Sequence, residues 1–484
     1  MTISLKLCWQ DDVSVSETEG TAVISGPQSR LTLPRVSPAV LTALHRLKPP
    51  GETHQQLEAA VLANGNMESL ARWFYHLGQF QQRGLIRRAL HSEAGHFATL
   101  STVSSSTRSS NHRSKASRST DGNSHEPSNA LYQLSRFAYL RRDGQQMLLE
   151  SPLSHSRLVL HDPRAAMVIA ALSTGCTLQE LAGRIISIPA DNIAALVLLL
   201  EEAGMLEVSH PADQSKGSAE FDSWEFHDLL FHSRSRRGRS NAPFGATYRL
   251  VDQPLPPALR PSDGEGWIDL SRPDLDRLER EDPPFAYVQN HRRSIRQYAA
   301  EPIKVEQLGE ILYRVGRVTE TRKSKASGPT TTFDFAGRPY PSGGALYELE
   351  FYPVIGVCQG LERGMYAYDP LQHRLRLIAG DNSDVKSLVD DAAMSAGIEP
   401  ATVQVLLVLA SQFRRIAWKY ESIAYALTLK HVGVVYQTLY LAATAMGLAP
   451  CALGCGDSDL FARAAGTQYH VESSVGEFLL GSRT

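Results

Sequence analysis

The sequence predicts an α+β chain, two copies of a small strand-and-helix unit followed by a larger mixed domain. Three observations lead there. First, the 484 residues are 42% hydrophobic and 21% charged, the composition of a soluble globular chain long enough, at ~150 residues per domain, for about three domains. Second, a weak repeat flanks a Ser-rich tract. Third, from Pro284 onward helical and strand patterns alternate without long loops, apart from 319–333, which reads as a mobile surface loop.

Taken in order, residues 1–92 form the first unit, 93–130 a linker, 131–210 the second unit, 211–284 an extended Pro- and Gly-rich connector, and 285–484 the large domain. The repeat rests on three pairs of segments. Ser29-Arg30-Leu31-Thr32-Leu33 resembles Ser156-Arg157-Leu158-Val159-Leu160, Thr53-His54-Gln55-Gln56-Leu57 resembles Thr177-Leu178-Gln179-Glu180-Leu181, and Gln82-Arg83-Gly84-Leu85-Ile86 resembles Glu202-Ala203-Gly204-Met205-Leu206. Each unit reads as short alternating strands, a helix (38–47; 163–172), a second helix capped by Thr53 or Thr177, and a third helix ending at Gly84 or Gly204. That is a winged helix-turn-helix, twice. The linker is flexible by composition, because residues 101–120 hold nine Ser, three Thr and four Lys or Arg with no acid.

Charge excludes several classes of partner. Lys plus Arg is 49 and Asp plus Glu 51, so no global field draws the chain to nucleic acid or acidic lipid. The third helix of the second unit, DNIAALVLLLEEA, has no cation to meet phosphates, and its counterpart offers only Arg72, His76 and Arg83. No nucleic acid and no membrane partner are expected. Five scattered cysteines suit a reducing cytoplasm. Cys451 and Cys455 stand three residues apart without a nearby His, so no metal site is expected. The start of the chain has no signal-peptide pattern, and the apolar stretch 422–449, broken by Lys430, His431 and Gln437, reads as a buried helix.

Four constellations carry chemistry. Arg292, Arg293, Ser294 and Arg296 put three guanidiniums and a hydroxyl within five residues, a donor set for a phosphate or an anionic ring edge. Pro341-Ser342-Gly343-Gly344 is a turn whose glycines let the backbone approach a flat ligand. Ala452-Leu453-Gly454, after the apolar helix, offers backbone N–H groups. Lys419-Tyr420 is the fourth. No mononucleotide loop of the G-x-G-x-x-G or Walker type is present.

In this order and spacing, RRSIRQY, PSGGALYELEFYPV, GLERGMYAYDP, WKYESIAYAL and GLAPCALG resemble the nitroreductase-like flavin fold. Within it they resemble the SagB-type azoline dehydrogenases, most closely the cyanobactin oxidases, which aromatise thiazolines and oxazolines in peptides. FHSRSRRG and GATYRL in the connector resemble them more loosely. The two N-terminal units are similar to the peptide-recognition domains of such pathways, in which a leader peptide adds a strand to a sheet edge. The resemblance implies a homodimer with FMN at the interface and a heterocyclised peptide as substrate, with leader-peptide or pathway-enzyme contacts through the N-terminal units. By position, Arg292, Arg293, Ser294 and Arg296 would hold the phosphate, ribityl chain and pyrimidine edge. Pro341, Ser342, Gly343 and Gly344 would line the ring from the partner subunit, Ala452, Leu453 and Gly454 would sit beside it, and Arg483 matches a late basic residue. Many relatives carry Arg after the tyrosine that falls at Tyr425; here it is Ala426.

Lys419-Tyr420 matches the family's catalytic pair. Aromatising an azoline removes a hydride and a proton from adjacent carbons, so the site needs a hydride acceptor and a base. Unperturbed Lys and Tyr titrate near ~10.4 and ~10, so either is a base at pH 7 only if burial or a neighbouring cation lowers it; a flavin phosphate beside Lys419 would push the lysine the wrong way, while Lys419 pushes the tyrosine down. Tyr420 as base beside Lys419 is therefore preferred, and the reverse assignment stays open. The expected activity is oxidation of thiazolines and oxazolines to thiazoles and oxazoles, passing electrons to dioxygen. A general NAD(P)H-dependent nitro- or quinone reductase and a peptide-binding scaffold with a dead flavin domain are the alternatives.

Overall fold

The computed structural model describes residues 4–18, 20–26, 29–92, 95–102, 129–209, 219–238, 240, 242–261, 264–325 and 332–484, the side chains of 324, 325, 332 and 333 excepted. The chain divides into two compact units, Met1–Ala242 and Pro243–Thr484.

In the first unit the repeat is visible element by element. Strands β1 (Ser4–Trp9), β2 (Ser14–Thr18), β3 (Thr21–Gly26) and β4 (Ser29–Leu33) precede α1 (Pro38–Arg46), the short β5 (Glu52–Thr53), α2 (His54–Ala63), α3 (Met67–Gln82) and the wing strands β6 (Ile86–Ser92) and β7 (Gly95–Thr102). The second copy runs β8 (Leu131–Leu134), β9 (Tyr139–Asp143), β10 (Gln146–Glu150), β11 (Ser156–Leu160), α4 (Pro163–Ala171), α5 (Leu178–Arg184), α6 (Ala190–Glu202) and β12 (Leu206–Ser209).

The same local chemistry writes both copies. Thr53 opens α2 with a capping box, its backbone N–H donating to Gln56 Oε1 at 2.9 Å, and Thr177 opens α5 with Glu180 at 2.8 Å. After α3, Gly84 takes φ 61° and the Leu85 N–H reaches back to the Phe80 carbonyl; after α6, Gly204 takes φ 65° and Met205 reaches Leu200. Both are glycine helix stops, which close orphaned carbonyls. Trp73 and Phe80 centre one core, Leu158 and Leu196 the other.

The copies are fused through one sheet of order β5-β1-β6-β7-β11-β10-β9. Strand β7 of the first copy pairs antiparallel with β11 of the second, Leu100 opposite Leu158 and Thr99 opposite Val159. This revises the expected linker boundary. Gly95–Thr102 is not linker; Phe97 through Ser101 are all buried. Most of the Ser-rich tract, 103–128, lies outside the described residues. The expected connector also contains helices, Phe226–Arg234 and Leu275–Glu281.

The second unit is built on an antiparallel seven-stranded sheet. Its order is Trp267–Asp269, Arg374–Gly380, Gly364–Asp369, Leu349–Ile355, Val405–Gln412, Glu472–Ser482 and Leu448–Ala452. Leu349–Ile355 is buried at every position because both faces are covered. Val305–Gly316 and the long helix Ala424–Ala445 pack on one core, Ser383–Ala396 and Ser458–Ala465 on the other. The loop expected at 319–333 is instead largely a hairpin, Thr321–Lys325 paired with Thr332–Ala336. The apolar stretch at 422–449 is the long helix, as expected.

Candidate functional site

The long helix Ala424–Ala445 is the spine of the candidate site. One end of it gathers two of the four constellations around Tyr440. Its hydroxyl lies 2.7 Å from Ser294 Oγ and accepts the Ala452 N–H at 2.8 Å, while the Arg292 guanidinium stands 5.0 Å over its ring. The Ile295 N–H donates to the Pro450 carbonyl, so the arginine segment and the Ala452 turn are stitched directly as well. One turn earlier on the helix, Tyr436 accepts the Glu477 N–H at 2.7 Å and donates to the Leu453 carbonyl at 3.4 Å. Gly454 is exposed and an added Cβ there would meet nothing.

The arginines differ in what they offer. Arg293 turns Nη1 onto the Asn290 and Arg292 carbonyls, at 2.9 and 2.8 Å. Arg296 is exposed; burial pushes the Cys451 thiol up and the Arg296 charge opposes it. Arg483 is exposed, directly after the strand Glu472–Ser482.

The other end of the helix holds the Pro341–Gly344 turn. The Gly343 N–H donates to His431 Nε2 at 2.7 Å, which leaves the proton on Nδ1, facing Glu348 Oε1 at 2.6 Å. Glu348 is fully buried, and Ser342 Oγ donates to its other oxygen while accepting the Tyr347 N–H. Two non-glycine residues in this turn, Ala345 (φ 55°) and Tyr347 (φ 47°), sit in the left-handed region, so the clamp holds a strained backbone. Pro341 is exposed at its entrance.

Lys419 and Tyr420 meet this turn at Gly344. A Cβ added there would lie 2.7 Å from Lys419 Nζ and 3.0 Å from the Tyr420 hydroxyl, and the φ of 63° independently favours glycine. Lys419 closes the helix Phe413–Lys419, and Tyr420 begins a short strand, Tyr420–Glu421, paired with Gly245–Ala246. The next residues of that connector bring Tyr248 in: its N–H donates to the Lys419 carbonyl and its ring lies 5.6 Å from Lys419 Nζ. The Tyr420 ring lies 5.6 Å from the same amine.

The structure thus gathers the predicted residues into two clusters, joined along the helix by the nine residue steps from His431 to Tyr440, ~13 Å at ~1.5 Å per residue. Tyr440, Tyr436, His431, Glu348 and Tyr248 were not singled out from the sequence as site residues. Tyr436 and Tyr440 look like core aromatics four apart on an apolar helix, and only GATYRL hinted at Tyr248. The cysteines are unpaired, with Cys455 exposed and 3.3 Å from Ser395 Oγ. Among the described residues no His/Cys/Asp/Glu group could hold a metal, and no helix is long and apolar enough to cross a membrane.

The exposed Arg293 and Arg296 guanidiniums suit a phosphate and the open space at Gly454 admits the edge of a flat ring, so the residues fit FMN. Residues 1–110 match the ThcOx helix-turn-helix domain, 132–241 the cyanobactin oxidase ThcOx, and 290–481 the nitroreductase family. A Methanocaldococcus jannaschii protein named as a nitroreductase, MJ1384, is 28% identical over 188 residues, 39% of this chain and 84% of that one. The trifolitoxin-processing protein TfxB of Rhizobium leguminosarum is 29% identical over 110 residues, 22% of this chain and 30% of its own length. Among solved structures, the Escherichia coli microcin synthetase McbBCD complex, with truncated pro-MccB17 bound, covers 51% of this chain and 84% of the matched chain. It does so at 20% identity and a TM-score of 0.32.

Proposed function

The chain is a cyanobactin-oxidase-type, nitroreductase-like oxidoreductase, and we propose that it is an FMN-dependent oxidase converting thiazolines and oxazolines of a ribosomal peptide to thiazoles and oxazoles. The observation that carries this reading is the convergence of the Lys419 amine and the Tyr420 hydroxyl on Gly344. Arg292, Arg296 and Ser294 would hold the phosphate and ribityl end; Gly343, Gly344, Leu453 and Gly454 would flank the ring. Bound there, FMN supplies the two-electron acceptor. The chain's own task is the proton: Tyr420 takes it from the carbon next to the one that loses hydride, and the Lys419 amine orients the azoline. His431 and Glu348 fix the turn on which that geometry depends. The ~13 Å between the clusters favours a homodimer in which each ring is shared by the Tyr440 end of one subunit and the Gly344 turn of its partner.

The test is anaerobic single-turnover flavin bleaching by a thiazoline peptide. Tyr420→Phe retains flavin and slows bleaching by roughly 10²–10⁴-fold, as loss of a general base does; Lys419→Ala does similar or smaller harm. Near-wild-type bleaching by Tyr420→Phe rejects it as base, and bleaching by NADPH but never by peptide favours the reductase.

The N-terminal unit supports a finer reading of its partner. Strand β11 has β7 on its outer edge, and Leu158, Val159 and Leu160 are all buried. Its counterpart β4 pairs only with β3 among the described residues, leaving Leu31 half-buried and Thr32 exposed. The edge that the second copy fills from its own chain is open in the first, so an extended peptide docks on β4. Between Gly20 and Gly51 the sequence carries Arg30, Arg35, Arg46 and Lys48 and no acid, which selects a peptide with carboxylates.

A further inference from the structure

A second cavity in the Pro243–Thr484 unit shares no residue with the site above. It measures ≈ 140 Å³ and is walled by Arg260, Trp267, Arg338, Tyr352, Leu371 and Ile378, with Glu350 and Asp369 at its margin. A single water needs only ~15 Å³ by this kind of measure, so the space is well beyond one solvent site.

Its hydrogen-bonding groups are unbalanced in one direction. Arg260 Nε, Trp267 Nε1 and Arg338 Nε are each buried with no hydrogen-bond partner among the described residues. Arg338 is only 7% exposed; its Nη1 is spent on the Gly316 carbonyl at 3.1 Å, and its Nε is not. The acceptors at the same wall are engaged. Asp369 Oδ1 takes the Leu371 and Gln372 N–H groups, its Oδ2 takes Arg374 Nε at 3.2 Å, and Glu350 Oε1 takes Gln412 Nε2 at 2.9 Å. The Tyr352 hydroxyl donates to Glu472 Oε1 at 2.7 Å, and Tyr368 pairs with His373. A buried N–H left unpaired is costly, so three around one cavity call for an acceptor.

The charges and walls narrow the acceptor further. Three guanidiniums, Arg260, Arg338 and Arg376, face two carboxylates. Arg260 already pairs with Glu472, and its Nε stands 3.7 Å from Glu350 Oε1, beyond hydrogen-bond reach; burial raises the Glu350 pKa while Arg260 and Arg338 oppose the rise. Trp267 lies under Arg374 and Arg376, 4.3 and 5.0 Å from its ring, so its indole is fixed and its N–H cannot swing away to solvent. Leu371, Ile378 and the Tyr352 ring supply an apolar surround.

We propose that this cavity is a binding site for a small organic carboxylate with an apolar body, the carboxylate oxygens accepting from Arg338 Nε, Arg260 Nε and Trp267 Nε1. This site is independent of the flavin reading.

The probe is benzoate, added to the full chain at constant ionic strength with chloride as balance, and the readout is the thermal midpoint. Benzoate raises it saturably and the uncharged benzamide does not. Trp267→Phe keeps the ring between its guanidiniums and removes one donor, so the apparent Kd for benzoate rises roughly tenfold, the value of one hydrogen bond to a charged acceptor. Arg338→Lys serves as a second variant, weakening benzoate while the flavin absorbance stays unchanged. The proposal is overturned if benzamide stabilises as well as benzoate, if neither shifts the midpoint, or if Trp267→Phe binds benzoate like the wild type.

Discussion

The two N-terminal copies share helix caps, glycine stops and strand sequences, yet among the described residues β11 has a partner on its outer edge and β4 has none. The difference is made by β7. It belongs by sequence to the first copy and by hydrogen bonding also to the second, where it covers β11. The two copies of the repeat therefore differ in strand pairing: β11 has neighbours on both sides, and β4 has one among the described residues. A repeat need not duplicate a function; a single added strand divides the roles.

Four measurements break or sharpen this contrast. Leu158 is fully buried under β7, so Leu158→Ala costs ~2–5 kcal/mol, whereas Leu31→Ala at the matching position costs less than half as much. Urea denaturation followed by circular dichroism compares them, and equal losses would mean that β4 is covered too. Next, Arg30→Glu with Arg35→Glu weakens a fluorescein-labelled acidic extended peptide by roughly tenfold in anisotropy titrations, and Arg157→Glu on β11 leaves it unchanged. The opposite ranking would move the docking strand to the second copy.

The third concerns acid. His91 on β6, His96 on β7 and His161 just after β11 cluster where the copies join, with ring centroids 3.9 and 5.4 Å apart and Thr99 Oγ1 2.9 Å from His161 Nε2. Burial lowers all three and Arg87 adds to it; neighbouring rings add at His91 and His161, Lys6 adds at His91 and His96, Asp11 opposes at His96 and His161, and His91 falls to about 4. Neutral in the fold and titrating near ~6.5 when unfolded, they bind more protons in the unfolded chain below that pH. Stability is full above pH ~6.5 and falls toward pH 4, and His91→Gln flattens the slope of thermal midpoint against pH; an unchanged slope removes His91 as its source. Smallest is the control. Thr53→Ala and Thr177→Ala each cost ~1 kcal/mol, equally in both copies, because the caps are alike. Unequal costs would show that the copies differ beyond their edges.

Much of this architecture was legible from local chemistry. Thr53, Thr177, Gly84 and Gly204 announce helix starts and stops within a few residues, and Ser29–Leu33 and Ser156–Leu160 announce equivalent strands. The fusion was not legible, because the β7–β11 pairing joins distant segments and GHFATLST shades into a Ser-rich tract. At the candidate site the glycine turn, the arginine cluster and Lys419-Tyr420 were legible as motifs. Their organisers were not: His431, Glu348 and Tyr440 act through contacts 83 to 146 residues away, and no local pattern marks such a partner.

The shared strand also sets an order of events during synthesis. Gly95–Thr102 leaves the ribosome well before Ser156–Leu160 exists, an interval of several seconds at ~5–20 residues per second. Through that interval β7, already paired with β6 on one side, leaves its other edge unpaired, the kind of edge that neighbouring polypeptides on a polysome can capture. The feature that later joins the two copies is thus, for a few seconds, the place where the growing chain is most open to mispairing, and chaperone demand is expected to peak there.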